Sequence, residues 1–264
     1  MSDNPYAPPK AATLEAPSSS GVYIEDGRKV PAGNGVTWYG DGWKLFVAAP
    51  GLWVLICIVF FVASILVSIV PGGALLSSIV YPPVVAGLML GCRSIEEGTG
   101  LRFEHLWAGF EKNVGSLILV GVLYLVGTVL IGVFAGIGVA VMIPAMIAQG
   151  AAPTDFSNIA ALMPYILVIA LVLLIVMALM LPLIMAVWFA PALVIFHDLA
   201  PMAAMKASFH GCLKNILPFL LYGLVGLGLA ILAVIPLGLG MLVWIPLLWT
   251  SIYTGYRDIF VRPA

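Results

Sequence analysis

The side chains that could do chemistry in this sequence are a few histidines and cysteines and one aspartate, all close to the ends of apolar segments. They are His105, His197, Asp198, His210, Cys92 and Cys212. Histidine and cysteine together could bind a soft metal, and His197 with Asp198 could act as a general acid and base. The chain, however, has no CxxC, HxxxH or HExxH spacing, and adjacent residues on a helix do not face each other. We therefore expect packed or interfacial side chains, no catalytic residue, no metal site, no cofactor and no enzyme activity.

A weaker alternative is a polar cluster on the cytosolic face, formed by His197, Asp198 and His210. Nucleotide and nucleic acid binding are not expected, because the chain has no GxxxxGK[ST] loop and no large basic patch. Two of the three cysteines are expected at the reducing cytosolic face, so no disulfide is predicted.

The composition identifies the lipid bilayer as the solvent of this chain. Hydrophobic residues make up 62% of it and charged residues only 9%, which is too little polar surface for a water-soluble globule. Residues 45–91, 114–154 and 216–256 contain no Asp, Glu, Lys or Arg. The fold class predicted is therefore all-α, a polytopic membrane protein.

Counting the apolar runs against the roughly 20 residues that span a bilayer core predicts six transmembrane helices. Their predicted bounds are 45–70, 74–91, 114–147, 161–196, 216–236 and 239–256. The fourth run could be divided at Pro182, but the second part would be too short to cross. One kinked helix is the preferred interpretation.

The cations predict the orientation. If both termini are cytoplasmic, all 11 Lys and Arg residues fall in inside segments, as the positive-inside rule requires. The outside connections, at 71–73, 148–160 and 237–238, carry Asp155 as their only charge. The predicted location is the bacterial inner membrane, with both termini in the cytoplasm.

Residues 1–36 are rich in Pro, Ser and Ala and have no apolar run, so they are interpreted as a disordered cytosolic tail and not as a signal peptide. The membrane domain is predicted over 37–260, with 261–264 as a short C-terminal tail. Its first residues, TWYGDGWKLF, place aromatic rings around Lys44, which suits the headgroup layer.

A Gly-x-x-Lys-Asn pattern occurs twice, each time just before an apolar run. Lys112 and Lys214 are candidate boundary cations, and Asn113 and Asn215 are candidate helix N-caps. The copies could reflect an internal duplication, or two membrane-entry signals that arose independently.

A second repeated pattern favours duplication. Each helix that returns to the cytosol contains a proline and ends in a polar tetrapeptide. The pairs are Pro83 with CRSI, Pro182 with FHDL and Pro246 with YRDI. Arg93 and Arg257 belong to these tetrapeptides and are further candidate boundary residues. The chain is thus predicted to form three pseudo-repeated helical hairpins of the same orientation.

Two long segments, 188–226 and 245–260 (the second is IPLLWTSIYTGYRDIF), carry a resemblance to a known family. Together with the opening NPYAPPKA, they resemble a family of uncharacterised proteobacterial six-helix inner-membrane proteins. More distantly, the AxxxSF segment, the Asn-led helix and the final Tyr-Arg-Asp are similar to the membrane domain of some glycerophosphodiester phosphodiesterases. The six-helix inner-membrane family has no established activity that could be carried over to this chain. In the phosphodiesterases, the chemistry belongs to a separate barrel domain, and no such domain fits in this chain.

The function predicted from these patterns is a non-enzymatic membrane protein that organises or regulates a protein or lipid partner at the cytosolic face. The alternative is a transporter or lipid-handling protein for a neutral or apolar solute, because ion transport usually requires charged residues inside the membrane. An intramembrane enzyme is a third and weaker alternative. The GxxxG spacings Gly87–Gly91 and Gly132–Gly136 favour packing within the chain, although they also allow a homodimer.

Overall fold

A computed structural model of the chain describes residues 21–148 and 159–262. Nine α-helices account for most of this part. They are α1 (Asn34–Val47), α2 (Pro50–Ile69), α3 (Gly73–Glu96), α4 (Val114–Met146), α5 (Ile159–Trp188), α6 (Ala190–His197), α7 (Pro201–Lys214), α8 (Ile216–Val234) and α9 (Met241–Phe260). Two short strands, β1 (Val22–Tyr23) and β2 (Val261–Arg262), pair antiparallel, and two 3₁₀ turns lie at Phe103–Leu106 and Ala108–Phe110.

Five helical stretches in the described ranges are long and apolar enough to cross a membrane. They are Pro50–Ile69, Gly73–Glu96, Val114–Ala145, Leu162–His197 and Ile216–Val234. The Leu162–His197 stretch joins α5 and α6, as expected for one segment; α5 continues through Pro182, and the helix is interrupted at Phe189. Helix α9 is 20 residues long, but it carries Arg257 and Asp258 near its end and is not among these five stretches. The sixth crossing therefore stays a prediction.

The outer surface of these helices is apolar. On α4 and α5, Leu130, Phe134, Leu174 and Met177 expose between 64% and 70% of their surface. Large side chains exposed in such numbers would be unfavourable in water, whereas hydrocarbon tails solvate them well. Because backbone groups inside a bilayer must be paired within the segment, helices are the structures that such sequences form there.

The buried core lies towards one end of the bundle, where the C-terminal halves of α3 and α9 meet α6. Leu88, Leu193, Ile259 and Phe260 are completely buried in this region. Three amphipathic segments pack around it: α1 against α9, α7 against α5 and α6, and the 3₁₀ turns against α3. We call α1, the 3₁₀ turns and α7 the lead-in segments, because each one precedes a long apolar helix.

Close backbone contact fixes the 3₁₀ lead-in segment on α3. A Cβ atom on Gly109 would lie 1.9 Å from the Pro83 carbonyl oxygen, and one on Gly87 would lie 2.2 Å from the His105 carbonyl oxygen. Only glycine fits at both positions. Since Gly87 and Gly91 both face this lead-in segment, that GxxxG pair packs within the chain.

The first predicted helix, 45–70, is interrupted. Helix α1 ends at Val47 and α2 begins at Pro50, which lacks the N–H that a continuous helix would need. In α1, Trp38 and Tyr39 are buried against other helices, whereas Trp43 is about half exposed. Phe46 is buried as well, so of the four rings expected to face the headgroup layer only Trp43 is exposed enough to do so.

The predicted disordered tail is too long. Residues 1–20 lie outside the described part of the chain, but 21–36 are folded against the bundle, and we call residues 21–33 the N-terminal strap. The Ile24 amide donates to the Phe260 carbonyl and the Arg28 amide to the Ile259 carbonyl, both at 2.9 Å. The last carbonyls of a helix have no partner within it, so the strap supplies the hydrogen bonds that the end of α9 needs. Residues 261–262 pair with the strap, and residues 263–264 are outside the described part.

The Asp258 side chain holds the strap and α1 to the end of α9. Its carboxylate accepts hydrogen bonds from Arg28 Nη2 at 2.8 Å, Asn34 Nδ2 at 2.7 Å and Trp38 Nε1 at 2.9 Å. Its exposed fraction is only 19%. A partly buried carboxylate with three donors contributes far more to stability than a pair in water.

Replacing this carboxylate should therefore destabilise the protein. We expect Asp258→Ala to lower the free energy of unfolding by at least about 1.5 kcal/mol, because hydrogen bonds to a charged group are lost and the Trp38 indole N–H is left without its acceptor. Thermal unfolding in detergent, followed by tryptophan fluorescence, measures the effect. The control is Asp41→Ala, which removes an exposed ion pair with Lys44 and should change stability by less than about 1 kcal/mol. Equal losses in the two variants would contradict this role of Asp258.

Candidate functional site at the joined helix ends

The three polar tetrapeptides that end α3, α6 and α9 come together in the folded chain. The Arg93 guanidinium of α3 lies 5.4 Å from the centre of the Phe196 ring of α6, and Phe196 stacks on Tyr256 of α9. The His197 Nε2 atom is 2.6 Å from the Tyr256 hydroxyl. We call this region the helix-end cluster.

Glu96 is the acidic centre of the helix-end cluster. It accepts a hydrogen bond from the Tyr253 hydroxyl at 2.6 Å and forms an ion pair with Arg257. Its neighbour Glu97 pairs with Arg93 Nε at 2.7 Å. The two arginines and two glutamates thus balance in charge, and the Glu96–Arg257 pair joins the end of α3 to the end of α9.

A polar pocket of about 170 Å³ opens within this cluster, and we call it the end pocket. It is lined by Gly21, Arg93, Phe196, His197, Tyr253, Tyr256, Arg257 and Val261. The lining includes two cations but no carboxylate. The chemistry that it offers is hydrogen-bond donation and positive charge.

The structure does not bring His197, Asp198 and His210 together as the sequence suggested. His197 pairs with Tyr256, whereas the Asp198 carboxylate accepts a hydrogen bond from Asn113 Nδ2 at 2.6 Å. His210 Nδ1 lies 3.1 Å from a carboxylate oxygen of Asp26 on the strap. The expected three-residue cluster is therefore wrong, because α7 carries His210 to a different neighbour.

Asn113 is not a side-chain N-cap. It has φ of 56° and ψ of 25°, with no hydrogen bond from its side chain to the first turn of α4. Its amide group instead donates to the Val194 carbonyl at 3.1 Å as well as to Asp198. Lys112 Nζ donates to the Ile195 carbonyl at 3.2 Å. The hydrogen bonds from Asn113 and Lys112 lower the pKa of the Asp198 carboxyl.

Asn215 also binds another segment of the chain and does not cap α8. Its Oδ1 accepts from the Val30 amide at 2.8 Å, and its Nδ2 donates to the Arg28 carbonyl at 2.8 Å. Lys214 Nζ reaches the carbonyls of Asp26 and Gly27, each at 3.1 Å. Both Lys-Asn pairs therefore attach a distant backbone segment to the start of an apolar helix. That contact replaces the local cap which the sequence suggested.

The remaining candidate residues are buried in packed surroundings. In the described ranges, no three His, Cys, Asp or Glu side chains lie close enough together to hold a metal ion. Cys212 donates weakly to the Met185 carbonyl at 3.6 Å, and burial raises the pKa of its thiol to about 12. His105 receives the Arg102 amide on Nδ1 and contacts Ser94 Oγ through Nε2. Burial, followed by the nearby Arg102 cation, lowers the pKa of His105.

A larger apolar cavity of about 630 Å³ lies between the long helices, and we call it the bundle cavity. Its walls come from α2, α3, α4, α5, α6 and α9. The lining residues are Phe60, Phe61, Ser77, Ser78, Tyr81, Pro82, Val85, Tyr124, Ile184, Val187, Trp188, Pro191, Ile245, Leu248, Trp249 and Ile252. None of them is charged.

Several residues of the helix-end cluster were not predicted from the sequence. Glu96 and Tyr253 are 157 residues apart, and neither belongs to a recognisable motif. The indirect signal was the repeated tetrapeptide, which placed Arg93, His197 and Arg257 at equivalent helix ends. The bundle cavity was not predicted either, since none of the prolines singled out in the returning helices (Pro83, Pro182 and Pro246) is among its lining residues.

Comparison with known proteins supports a membrane location. A protein of Burkholderia thailandensis described as a probable inner membrane protein is 29% identical over 255 residues, which cover 88% of this chain and 93% of the relative. No family model matches the chain, and no solved structure matches it. The relative and the apolar helices agree on an integral membrane protein and support an inner-membrane family. They give no support to the distant similarity with glycerophosphodiester phosphodiesterases.

The two asparagines of the repeated pattern should differ in their importance for stability. Asn215 is completely buried, so Asn215→Leu leaves the Val30 amide and the Arg28 carbonyl without their partner, at a cost of about 1–3 kcal/mol for each buried group. Asn113→Leu removes hydrogen bonds in a more exposed place and should cost less. Thermal unfolding of the two single variants in detergent tests this order. If Asn113→Leu proves as damaging as Asn215→Leu, attachment of the strap is not the main role of Asn215.

Proposed function

We propose that this chain is a non-enzymatic inner-membrane protein that binds a neutral or apolar molecule, such as a lipid, in the bundle cavity. The observation that carries the proposal is the cavity itself. Its volume of about 630 Å³ falls within the roughly 300–1,000 Å³ typical of sites for small molecules. Its walls combine apolar and aromatic side chains with a few hydroxyl groups.

The lining favours an uncharged molecule. The polar groups that can reach a ligand are the hydroxyls of Ser77, Ser78, Tyr81 and Tyr124, together with indole N–H groups. These groups can orient one polar end of a largely apolar molecule, as is usual in small-molecule sites. Ion or proton transport would need ionisable groups inside the membrane, and the bundle cavity offers no such group.

The sequence favoured an organising or regulatory role and ranked lipid handling second. The bundle cavity reverses that order, because it supplies a specific place for a ligand. A protein or lipid partner at the cytosolic face and a homodimer remain predictions. The proposal of no enzyme activity rests on the polar groups of the helix-end cluster, which pair with one another in stable hydrogen bonds and ion pairs.

Six crossings with both termini in the cytoplasm are part of the proposal. Helix α9 has 20 residues, which corresponds to about 30 Å and is enough to span the hydrocarbon core. The pairing of β1 with β2 supports placing the first and last described residues on the same side. The distribution of cations supports the cytoplasm as that side.

The arrangement of the lead-in segments supports three repeated hairpins. Each segment packs on a returning helix: the 3₁₀ turns on α3, α7 on α5, and α1 on α9. In each case a small residue makes the close contact near the proline of that helix. The contacts are Gly109 with Pro83, Ser208 with Met185, and Gly42 with Ser251. Because α1 contacts the last returning helix, the three units would close into a ring.

Labelling of introduced cysteines tests the proposed topology. In intact cells, a membrane-impermeant thiol reagent should label a cysteine at Asp155 and should not label one at Glu97 or at Ala200, because the last two positions are assigned to the cytoplasm. After the cells are permeabilised, all three should react. Labelling of Asp155→Cys only after permeabilisation would overturn the six-helix topology.

Filling the bundle cavity should reduce the amount of bound lipid. We expect Ile184→Trp with Val187→Trp to retain less than about half of the lipid that the wild-type protein carries through purification, because the indole rings occupy the space of the ligand. Mass spectrometry of extracted lipids, expressed per protein, measures the change.

The control for this experiment is Leu181→Trp. Leu181 lies one turn earlier on α5, is 60% exposed and does not line the cavity. Its substitution should leave the bound lipid unchanged. Equal lipid content in the filled variant and the control would count against the bundle cavity as the site.

A further inference from the structure

The end pocket presents hydrogen-bond donors and positive charge on a scale that suits a small oxyanion. Its volume of about 170 Å³ corresponds to several water molecules at about 30 Å³ each. Arg93 and Arg257 both line it, and their side chains are only 36% and 40% exposed. Arginines in partly enclosed places are the usual ligands of phosphate and carboxylate groups, because the planar guanidinium donates two parallel hydrogen bonds.

The carboxylates that pair with these arginines use only part of the guanidinium groups. Arg93 contacts Glu97 through Nε, and Arg257 contacts Glu96 through Nη1. Neither glutamate is among the lining residues. A guanidinium has five N–H donors, so each arginine keeps donors beyond those used in its ion pair. The pocket therefore is lined by two cations, and the carboxylates that pair with them are not among its lining residues.

The His197–Tyr256 pair adds a neutral donor. A neutral imidazole carries one N–H and a phenol carries one O–H. The contact of 2.6 Å between His197 Nε2 and the Tyr256 hydroxyl uses one of these two protons. Whichever tautomer is present, the other proton remains available for donation, and both residues line the pocket.

From this geometry we propose that the end pocket binds a phosphate group, presented either as a free phosphate ion or as the headgroup of an anionic lipid. Arg93 and Arg257 bind the oxygen atoms, and the His197–Tyr256 pair donates a further hydrogen bond. The site is separate from the bundle cavity, so it does not depend on the function proposed for that cavity.

The proposal is tested by thermal unfolding of the full-length chain under two conditions. In detergent, inorganic phosphate is titrated against sodium chloride at equal ionic strength. In lipid nanodiscs, phosphatidylcholine alone is compared with phosphatidylcholine mixed with phosphatidic acid. We expect a saturable rise in the unfolding temperature with phosphate, with phosphatidic acid or with both, because a ligand that binds the folded state stabilises it. A response to phosphate identifies the free ion, and a response to phosphatidic acid alone identifies the lipid headgroup.

Two variants and their matched controls locate the site. Arg93→Gln should weaken the apparent affinity at least about tenfold, whereas Arg102→Gln, at an exposed arginine outside the pocket, should keep the wild-type response. Val261→Glu places a carboxylate in the lining without removing an arginine, so it should weaken binding even if Arg93→Gln does not fold. Its control, Val22→Glu, adds the same charge to the paired strand at an exposed residue outside the pocket.

Two results would overturn the proposal. One is the absence of a specific response to both phosphate and phosphatidic acid in the wild-type protein. The other is a response that Val261→Glu and Val22→Glu reduce equally, because this would indicate a general effect of charge on the surface. Lipid retention in the bundle cavity should be the same in Val261→Glu and in the wild-type protein, so failure of either site can be recognised separately.

Discussion

The contact on which the rest of the structure depends is the convergence of the ends of α3, α6 and α9. Polar groups close to a bilayer are costly unless they are paired, and each of these helices ends in charged or aromatic polar residues. The fold satisfies them by joining the ends, so that Glu96 of α3 pairs with Tyr253 and Arg257 of α9. The apolar halves of the same helices then point away from this cluster, where lipid can surround them.

Once the helix ends are joined, the lead-in segments and the N-terminal strap complete the structure around them. The strap donates to the last carbonyls of α9 and is held by Asp258 and Asn215. Lys112 and Asn113 likewise donate hydrogen bonds to carbonyl groups near the end of α6. Every polar tail of a returning helix therefore meets donors from a segment that is distant in sequence. Such an arrangement makes the strap and the lead-in segments part of the core, which accounts for the burial of Trp38 and Tyr39 in α1.

The helices could be predicted well from the sequence, whereas the contacts between distant segments could not. Composition and apolar run length identified an all-α membrane protein, because a bilayer leaves few other solutions for 62% hydrophobic residues. The repeated Lys-Asn pattern indicated the starts of α4 and α8, but a local rule for N-caps assigned the wrong role to both asparagines. Their actual partners, such as the Val30 amide for Asn215, lie far away in sequence, and no pattern in one sequence reports such pairs. The strap was missed for the same reason: its polarity resembles that of a disordered tail, and its structure comes from contacts with the last carbonyls of α9 and with Asp258 and Asn215.

Helix α9 connects the two cavities. Trp249 and Ile252 line the bundle cavity, and Tyr253 and Tyr256 line the end pocket about one turn further along. Phe196 of α6 also lines the end pocket, and its ring contacts both tyrosines. A molecule in the bundle cavity would therefore press on the same helix that presents Arg257 to the end pocket. Coupling between the sites requires that occupation of one changes the free energy of binding at the other. A shift or rotation of α9 would move lining residues of both cavities at the same time.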